Sequence, residues 1–125
     1  TRRAHFEVYR AELGALSGIE FMPVADPEAS NYWLSCLTID SETSGSSRDA
    51  LMATLEAADI EARPLWKPLH LQPIFTDKIC YGGELAEGLF KNGLCLPSGS
   101  GMDESEREKV IRTIKATLAQ ARSKQ

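Results

Sequence analysis

Residues 63–75, RPLWKPLHLQPIF, bring an indole, an imidazole, two cations and a carboxamide into one short stretch. His70 carries the side chain that titrates near neutrality and is the natural candidate for a general acid or base. Trp66 offers a flat apolar face on which a ring can stack. Arg63 presents a guanidinium fork suited to phosphate or carboxylate, and Lys67, flanked by Trp66 and Pro68, is a second candidate anion contact. Gln72 can read a hydroxyl or an amide. Each has a plainer role open to it: a hydrogen-bonded structural histidine, a core indole, a solvated lysine, a surface ion pair, a glutamine tying down its own loop. Pro64, Pro68 and Pro73 fix their own φ and push the residues before them toward extended conformations, so the stretch is neither a helix nor a central strand. A stiffened loop lowers the entropy cost of binding, and scaffolded loops are where binding residues collect. Jointly the five side chains point to a ligand contact.

Other candidates are weaker. GELAEG and SGSGM lack the spacing of a dinucleotide loop or a P-loop. Ser98–Gly101 precedes a helix start, where backbone N–H groups can meet an anion, although simple capping and a tight turn explain it more readily. His5 lies in the first helix and is expected to be exposed. Neither a metal site nor a nucleophilic Ser/His/Asp or Cys/His set is argued from the spacing. Cys36, Cys80 and Cys95 are odd in number and lack a C-x-x-C pair, which disfavours a disulfide framework or zinc. They read as small buried apolar residues in a reducing cytoplasm.

The bulk numbers set further bounds. The 125 residues, 42% hydrophobic and 26% charged, suit a single globular domain. With acids and bases interspersed and a net charge of −4, there is no basic field to hold nucleic acid. No apolar run approaches the ~20 residues that cross a bilayer, and the amino terminus carries no signal-like pattern. The opening TRRAHFEVYRAELGAL is helical from its start, and the chain looks cut from something longer.

The elements follow from spacing. Phe6, Tyr9, Leu13 and Leu16 predict a helix over about 2–15. IEFMPV is a candidate edge strand, and YWLSCLTI, residues 32–39, is the best strand. DSETSGSS reads as a polar, mobile loop. Ser46 and Asp49 open a second helix, lined by Leu51 and Leu55 and ending near Asp59. IEARPL is a brief strand running into the stiff loop. ELAEGLFKN is a short helix with Leu85 and Leu89 on one face, and Gly93 suits the left-handed position after it. LCLP is a buried strand. The last helix is capped by Asp103 with Glu106 three further on, and Val110, Ile111, Ile114 and Leu118 face the core. Short strands between helices suggest an α/β (α+β) domain, a helix layer on a small sheet.

EARPLWKPLHLQPIF, GGELAEGLFKNGLCLPSGSGMDESEREKVIRTI and RRAHFEVYRAEL, in that chain context, resemble the carboxy-terminal part of the DegT/DnrJ/EryC1/StrS aminotransferases. These are pyridoxal-phosphate enzymes acting on nucleotide-linked sugars. The run is most similar to the branch that aminates UDP-linked 4-keto-6-deoxy sugars for surface polysaccharide and pilin glycans. The resemblance implies a small domain of a fold-type-I, aspartate-aminotransferase-like enzyme, with a small, mostly antiparallel sheet covered by helices. Residues 1–125 then form one carboxy-terminal domain, beginning in the helix that connects it to a missing large domain. That large domain holds the family's Schiff-base lysine, its pyridine-pairing acid and its phosphate cup. This chain matches none of those motifs, so the resemblance implies no catalytic or cofactor-binding residue here and no pyridoxal phosphate or turnover in the fragment alone. By resemblance, Trp66 and His70 approach the sugar, Lys67 and Arg63 lie near the diphosphate, and Gln72 is a further contact. The full-length protein is expected to be a cytoplasmic homodimer using glutamate as amino donor. The alternative is a freestanding sugar- or peptide-binding module without catalysis.

Overall fold

The computed structural model describes residues Thr1–Ser123. Helix α1 (Arg2–Leu13) is followed by β1 (Ile19–Phe21), β2 (Ser35–Ile39), a single-turn α2 (Ser41–Ser44) and α3 (Arg48–Ala57). After β3 (Arg63–Pro64) come two 3₁₀ turns, Leu69–Leu71 and Pro73–Phe75. The chain ends with α4 (Glu84–Asn92), β4 (Gly93–Leu96) and α5 (Glu104–Arg122). The strands form one sheet in the order β1-β2-β4-β3 with every neighbouring pair antiparallel, as the α+β reading expects.

Alternation along the strands gives the sheet two unlike faces. Ile19 pairs with Ile39, and Leu37 with both Phe21 and Leu94. These residues meet Tyr9 and Leu13 of α1, Leu51 and Leu55 of α3, and the Val110, Ile111, Ile114 and Leu118 stripe of α5. Burying each such leucine or isoleucine contributes about 1.5–3 kcal/mol, so this face holds the domain together. Cys36, Thr38, Gly93 and Cys95 take the opposite face. Tyr9 ties α1 to the turn before α5: its hydroxyl donates to the Pro97 carbonyl at 3.0 Å and lies 3.7 Å from the Met102 sulfur.

Several expectations are corrected. Strand β2 begins at Ser35, not Tyr32, because Tyr32 sits at φ 49° and breaks the extended run. The Ser30 hydroxyl and Asn31 carboxamide accept the N–H groups of Tyr32 and Trp33, a local turn that competes with strand pairing. The polar segment after β2 is not a bare loop: Asp40 accepts from Glu42 N–H and caps α2, and the Ser44 hydroxyl, buried, donates to the Ser46 carbonyl. Helix α3 is capped by Ser47, one residue later than expected, and ends at Ala57. Gly93 is not left-handed; it is extended, at φ −91° and ψ 141°, and opens β4. A methyl there would overlap the Leu65 side chain and the Leu89 carbonyl. His5 is buried, at 3% exposure, and its Nδ1 lies 3.3 Å from Arg107 Nη1. Burial, with the Arg107 cation second, lowers its pKa, so the neutral ring accepts that hydrogen bond. Cys36 and Cys95 are buried as expected, but Cys80 is exposed. The Asp103–Glu106 capping box on α5 is present as predicted.

This packing makes two outcomes testable. Gly93→Ala should cost about 1–3 kcal/mol by crowding Leu65 and the Leu89 carbonyl, whereas Gly88→Ala in α4, with open space around it, should be neutral or stabilising by about 0.5–1 kcal/mol. Urea denaturation of both variants checks the contrast. Burial pushes the Tyr9 phenol up from 10.0 to about 12. A raised folded-state pKa means that the stabilisation is intact below pH 10 and is lost as pH rises through about 12, a loss of roughly 2–3 kcal/mol. Tyr9→Phe should be less stable at neutral pH by about 1 kcal/mol and should lose less on going from pH 9 to 12, as read by denaturation across that range.

Candidate functional site

The proline-rich segment leaves the sheet at its edge. Pro64, which has no N–H to donate, occupies the edge strand β3 opposite Leu94. One residue on, Leu65 N–H donates to the Gly93 carbonyl at 3.2 Å, and the Leu65 side chain lies over Gly93 in the space that a methyl would fill. That anchor turns Trp66 outward. Its indole is 66% exposed and stands 6.0 Å from the Trp33 ring, tilted by 49°.

Trp33, itself 60% exposed, is held by its backbone. Its N–H donates to Asn31 Oδ1 at 3.0 Å, and its carbonyl accepts from Arg2 Nη1 at 2.7 Å and from the Ser98 hydroxyl at 2.9 Å. The two indoles line an open cleft of about 580 Å³ with Tyr32, Met22, Pro23 and Cys36. Each exposed indole face of this kind can take a ring against it.

His70 lies in the first 3₁₀ turn, its ring partly covered. Its Nε2 is 2.9 Å from Glu87 Oε1 on α4. This carboxylate fixes the ring's orientation and leaves Nδ1 as the other nitrogen able to exchange a proton. The close fit depends on Gly83, whose φ of 121° suits glycine and whose added Cβ would stand 2.9 Å from His70 Cε1. Cys80 Sγ lies 3.5 Å from that same Cβ position and donates to the Gly82 carbonyl.

The other three predicted residues are placed differently. Arg63 is exposed and its guanidinium engages Glu61, with Nε 2.8 Å from Oε1. It lines a second open cleft, of about 640 Å³, with Cys95, Ser98, Gly99, Met102 and Lys109; the two clefts meet at Leu34. Lys67 is exposed. Gln72 turns back on its own loop, its Nε2 donating to the Lys67 carbonyl at 3.2 Å. The Ser98–Gly101 segment serves the turn and the capping of α5: Met102 N–H donates to the Gly99 carbonyl, and Asp103 accepts from Glu106 N–H.

Two residues of this arrangement escape a reading of the sequence. Trp33 falls inside what looks like a continuous strand; the Ser30-Asn31 pair before it is the available turn signal. Glu87 is 17 positions from His70, and no spacing rule joins a loop histidine to a carboxylate on a later helix.

A model of the DegT/DnrJ/EryC1/StrS aminotransferase family matches residues 1–115. The chain is 45% identical over 117 residues to EpsN of Bacillus subtilis (strain 168), assigned by name as a pyridoxal phosphate-dependent aminotransferase, covering 90% of this chain and 29% of that protein. It is 30% identical over 112 residues to the GDP-perosamine synthase of Vibrio cholerae, covering 87% of this chain and 29% of that protein. Among solved structures, the aminotransferase TlmJ from Streptoalloteichus hindustanus superposes with a TM-score of 0.81 at 28% identity, over 95% of this chain and 31% of that one. The chain thus spans about three-tenths of the length of these relatives. With the family pattern running through nearly all of its described residues and its fold shared with a solved aminotransferase, the chain belongs to the DegT/DnrJ/EryC1/StrS aminotransferase family.

Proposed function

We propose that this chain is the substrate-side small domain of a pyridoxal-phosphate-dependent aminotransferase. The full-length enzyme moves an amino group, with glutamate as donor, to a nucleotide-linked 4-keto-6-deoxy sugar for surface polysaccharide or pilin glycan biosynthesis. The observation that carries this reading is the outward indole pair, Trp33 and Trp66, on a proline-braced loop beside a carboxylate-held histidine. Family membership and a relative named for a GDP-linked sugar support the substrate class. The nucleotide is therefore assigned as a class, a nucleoside diphosphate, rather than as UDP alone.

Within that reading the side chains divide the work. Trp66 and Trp33 stack on the apolar face of the sugar ring and exclude water from it. His70, oriented by Glu87, hydrogen-bonds a sugar hydroxyl or relays a proton at Nδ1. Lys67 and Arg63 supply positive charge toward the diphosphate, Arg63 by exchanging Glu61 for phosphate oxygen. Gln72 keeps the loop in shape. Leu69, Ile74, Ile79, Tyr81, Leu85 and Leu89 are exposed, and contiguous apolar exposure over one segment favours its being covered by a partner surface. We assign that cover to the cofactor-carrying domain of a homodimeric full-length enzyme.

The described residues do not by themselves fit pyridoxal phosphate. Lys67, Lys78, Lys91 and Lys109 are exposed, and Lys115 pairs with Glu12 at 2.6 Å. A Schiff-base lysine requires a desolvated pocket, and these side chains lie at the surface. When bound, the cofactor supplies the electron sink for transamination; this domain shapes the substrate side. No described helix is long and apolar enough to cross a membrane.

In the full-length enzyme, Trp66→Ala should raise KM for the nucleotide sugar about tenfold, the equivalent of about 1.4 kcal/mol of lost contact. His70→Gln should lower kcat/KM about a hundredfold. Steady-state transamination with glutamate and a nucleotide-linked keto sugar measures both. Wild-type kinetics in both variants would remove these residues from the substrate site. Sugar binding without amino transfer by the full-length wild type would favour a binding module.

A further inference from the structure

Cys36 and Cys95 face each other across β2 and β4 on the sheet face turned away from the helical core. Their sulfurs are 3.5 Å apart, both thiols are free, and their exposures are only 4% and 7%. The ladder geometry suits a bond between them. Met22 N–H donates to the Cys36 carbonyl, and the N–H and C=O of one strand residue point the same way, so Cys36 turns its backbone toward β1. The Gly93 carbonyl accepts from Leu65 N–H, so Cys95, two residues on, turns its backbone toward β3. Cys36 and Cys95 are therefore a non-hydrogen-bonded pair. Such pairs bring Cα atoms to about 4.5 Å with side chains at their closest, inside the roughly 4.4–6.8 Å window of a disulfide. Only the sulfurs need to move.

Both residues also border open clefts. Cys36 lines the tryptophan cleft, and Cys95 lines the cleft that holds Arg63. The sulfur–sulfur contact, in which either atom can donate, holds the Cys95 thiol down and, with burial, pushes the Cys36 thiol up. Cys95, the more exposed of the two at 7%, is the thiol assigned to react first, with Cys36 3.5 Å away to resolve it.

We propose that Cys36 and Cys95 form a reversible dithiol–disulfide couple, oxidised by a small hydroperoxide, that staples β2 to β4. The Cys95 thiolate attacks one peroxide oxygen, the O–O bond breaks, and the leaving hydroxide takes up a proton to become water; Cys95 is left as sulfenic acid. The Cys36 sulfur then attacks the Cys95 sulfur, the S–O bond breaks, and the departing hydroxide takes the Cys36 proton as a second water. Two thiols lose two electrons and one hydrogen peroxide gains them. The bond joins the strand that follows Trp33 to the strand that anchors Leu65, and Cys36 lines the same cleft as both indoles.

The test uses hydrogen peroxide on the purified, folded protein carrying Cys80→Ser, which removes the exposed thiol. Remaining thiols are then alkylated in denaturant, and the digest is analysed by mass spectrometry. Expected is a Cys36–Cys95 peptide pair lighter by two hydrogens than the separate peptides, restored by dithiothreitol. In Cys36→Ser, peroxide should leave Cys95 as a dimedone-reactive sulfenic acid that the parent protein does not accumulate; should that variant fail to fold, the parent digest decides alone. Full alkylation of both cysteines after peroxide, oxidation to sulfinic acid without a linked pair, or linkage appearing only in urea would each overturn the proposal.

Discussion

The pairing of β2 with β4 in one register is the constraint on which the rest of the molecule depends. Leu37 opposite Leu94 and Ser35 opposite Leu96 put one set of side chains under the helices. Because side chains alternate with a period of two, a slip by one residue would exchange them for Cys36, Thr38, Gly93 and Cys95. Neither set can do the other's work. The leucines are needed by α1, α3 and α5, and Gly93 is needed on the far face because Leu65 occupies the space above it. Helical packing, the edge strand and the thiol contact are three consequences of a single alignment.

From that alignment the loop takes its direction. A proline segment has few backbone donors and cannot hold itself in a sheet interior. Here it is secured at one end by the Leu65–Gly93 hydrogen bond, and further on by the contact of His70 with Glu87. Between these points the backbone has little freedom, and Trp66 projects without a core to enter. Trp33 reaches the same cleft from the other side because a turn at residues 30–32 interrupts what would otherwise be a longer strand. The aromatic wall is assembled from two irregular segments meeting above a regular sheet. Trp33 is held there by hydrogen bonds to its backbone rather than by burial of its ring.

What is legible in the sequence, and what is not, divides along the range of the interactions. The helices α1 and α5, with their stripes and the Asp103–Glu106 box, follow from local spacing and short-range capping. Prolines announce the edge position of β3. The β propensity of the residues at Tyr32 misleads, because side-chain-to-backbone bonds from Ser30 and Asn31 overrule it. Gly93 suggests a cap by its place after a helix, but a cross-strand neighbour, Leu65, sets its real requirement. His5 reads as a surface residue because no local pattern reveals that Arg107, on the last helix, packs against it. The partners Glu87 and Trp33 belong to the same class: they join the candidate site only through tertiary contact.

The division of charge between the two clefts bears on how such a site selects a ligand. The indole cleft carries two exposed rings tilted by 49° with Asp26 at its lining, whereas the neighbouring cleft carries Arg63 and Lys109 among Asp59, Glu61 and Glu106. Arg63 is committed to Glu61 at the surface, where such a pair is worth at most about 1 kcal/mol. An anionic group with two oxygens to offer can exchange with Glu61 at Arg63, but it does so against the carboxylates of Asp59 and Glu106 in the same cleft. A molecule combining a ring face with a distal phosphate would meet both surfaces across Leu34, and one lacking either part would meet only half. Under the proposed assignment, selectivity resides in the distance between two weak contacts held by one sheet.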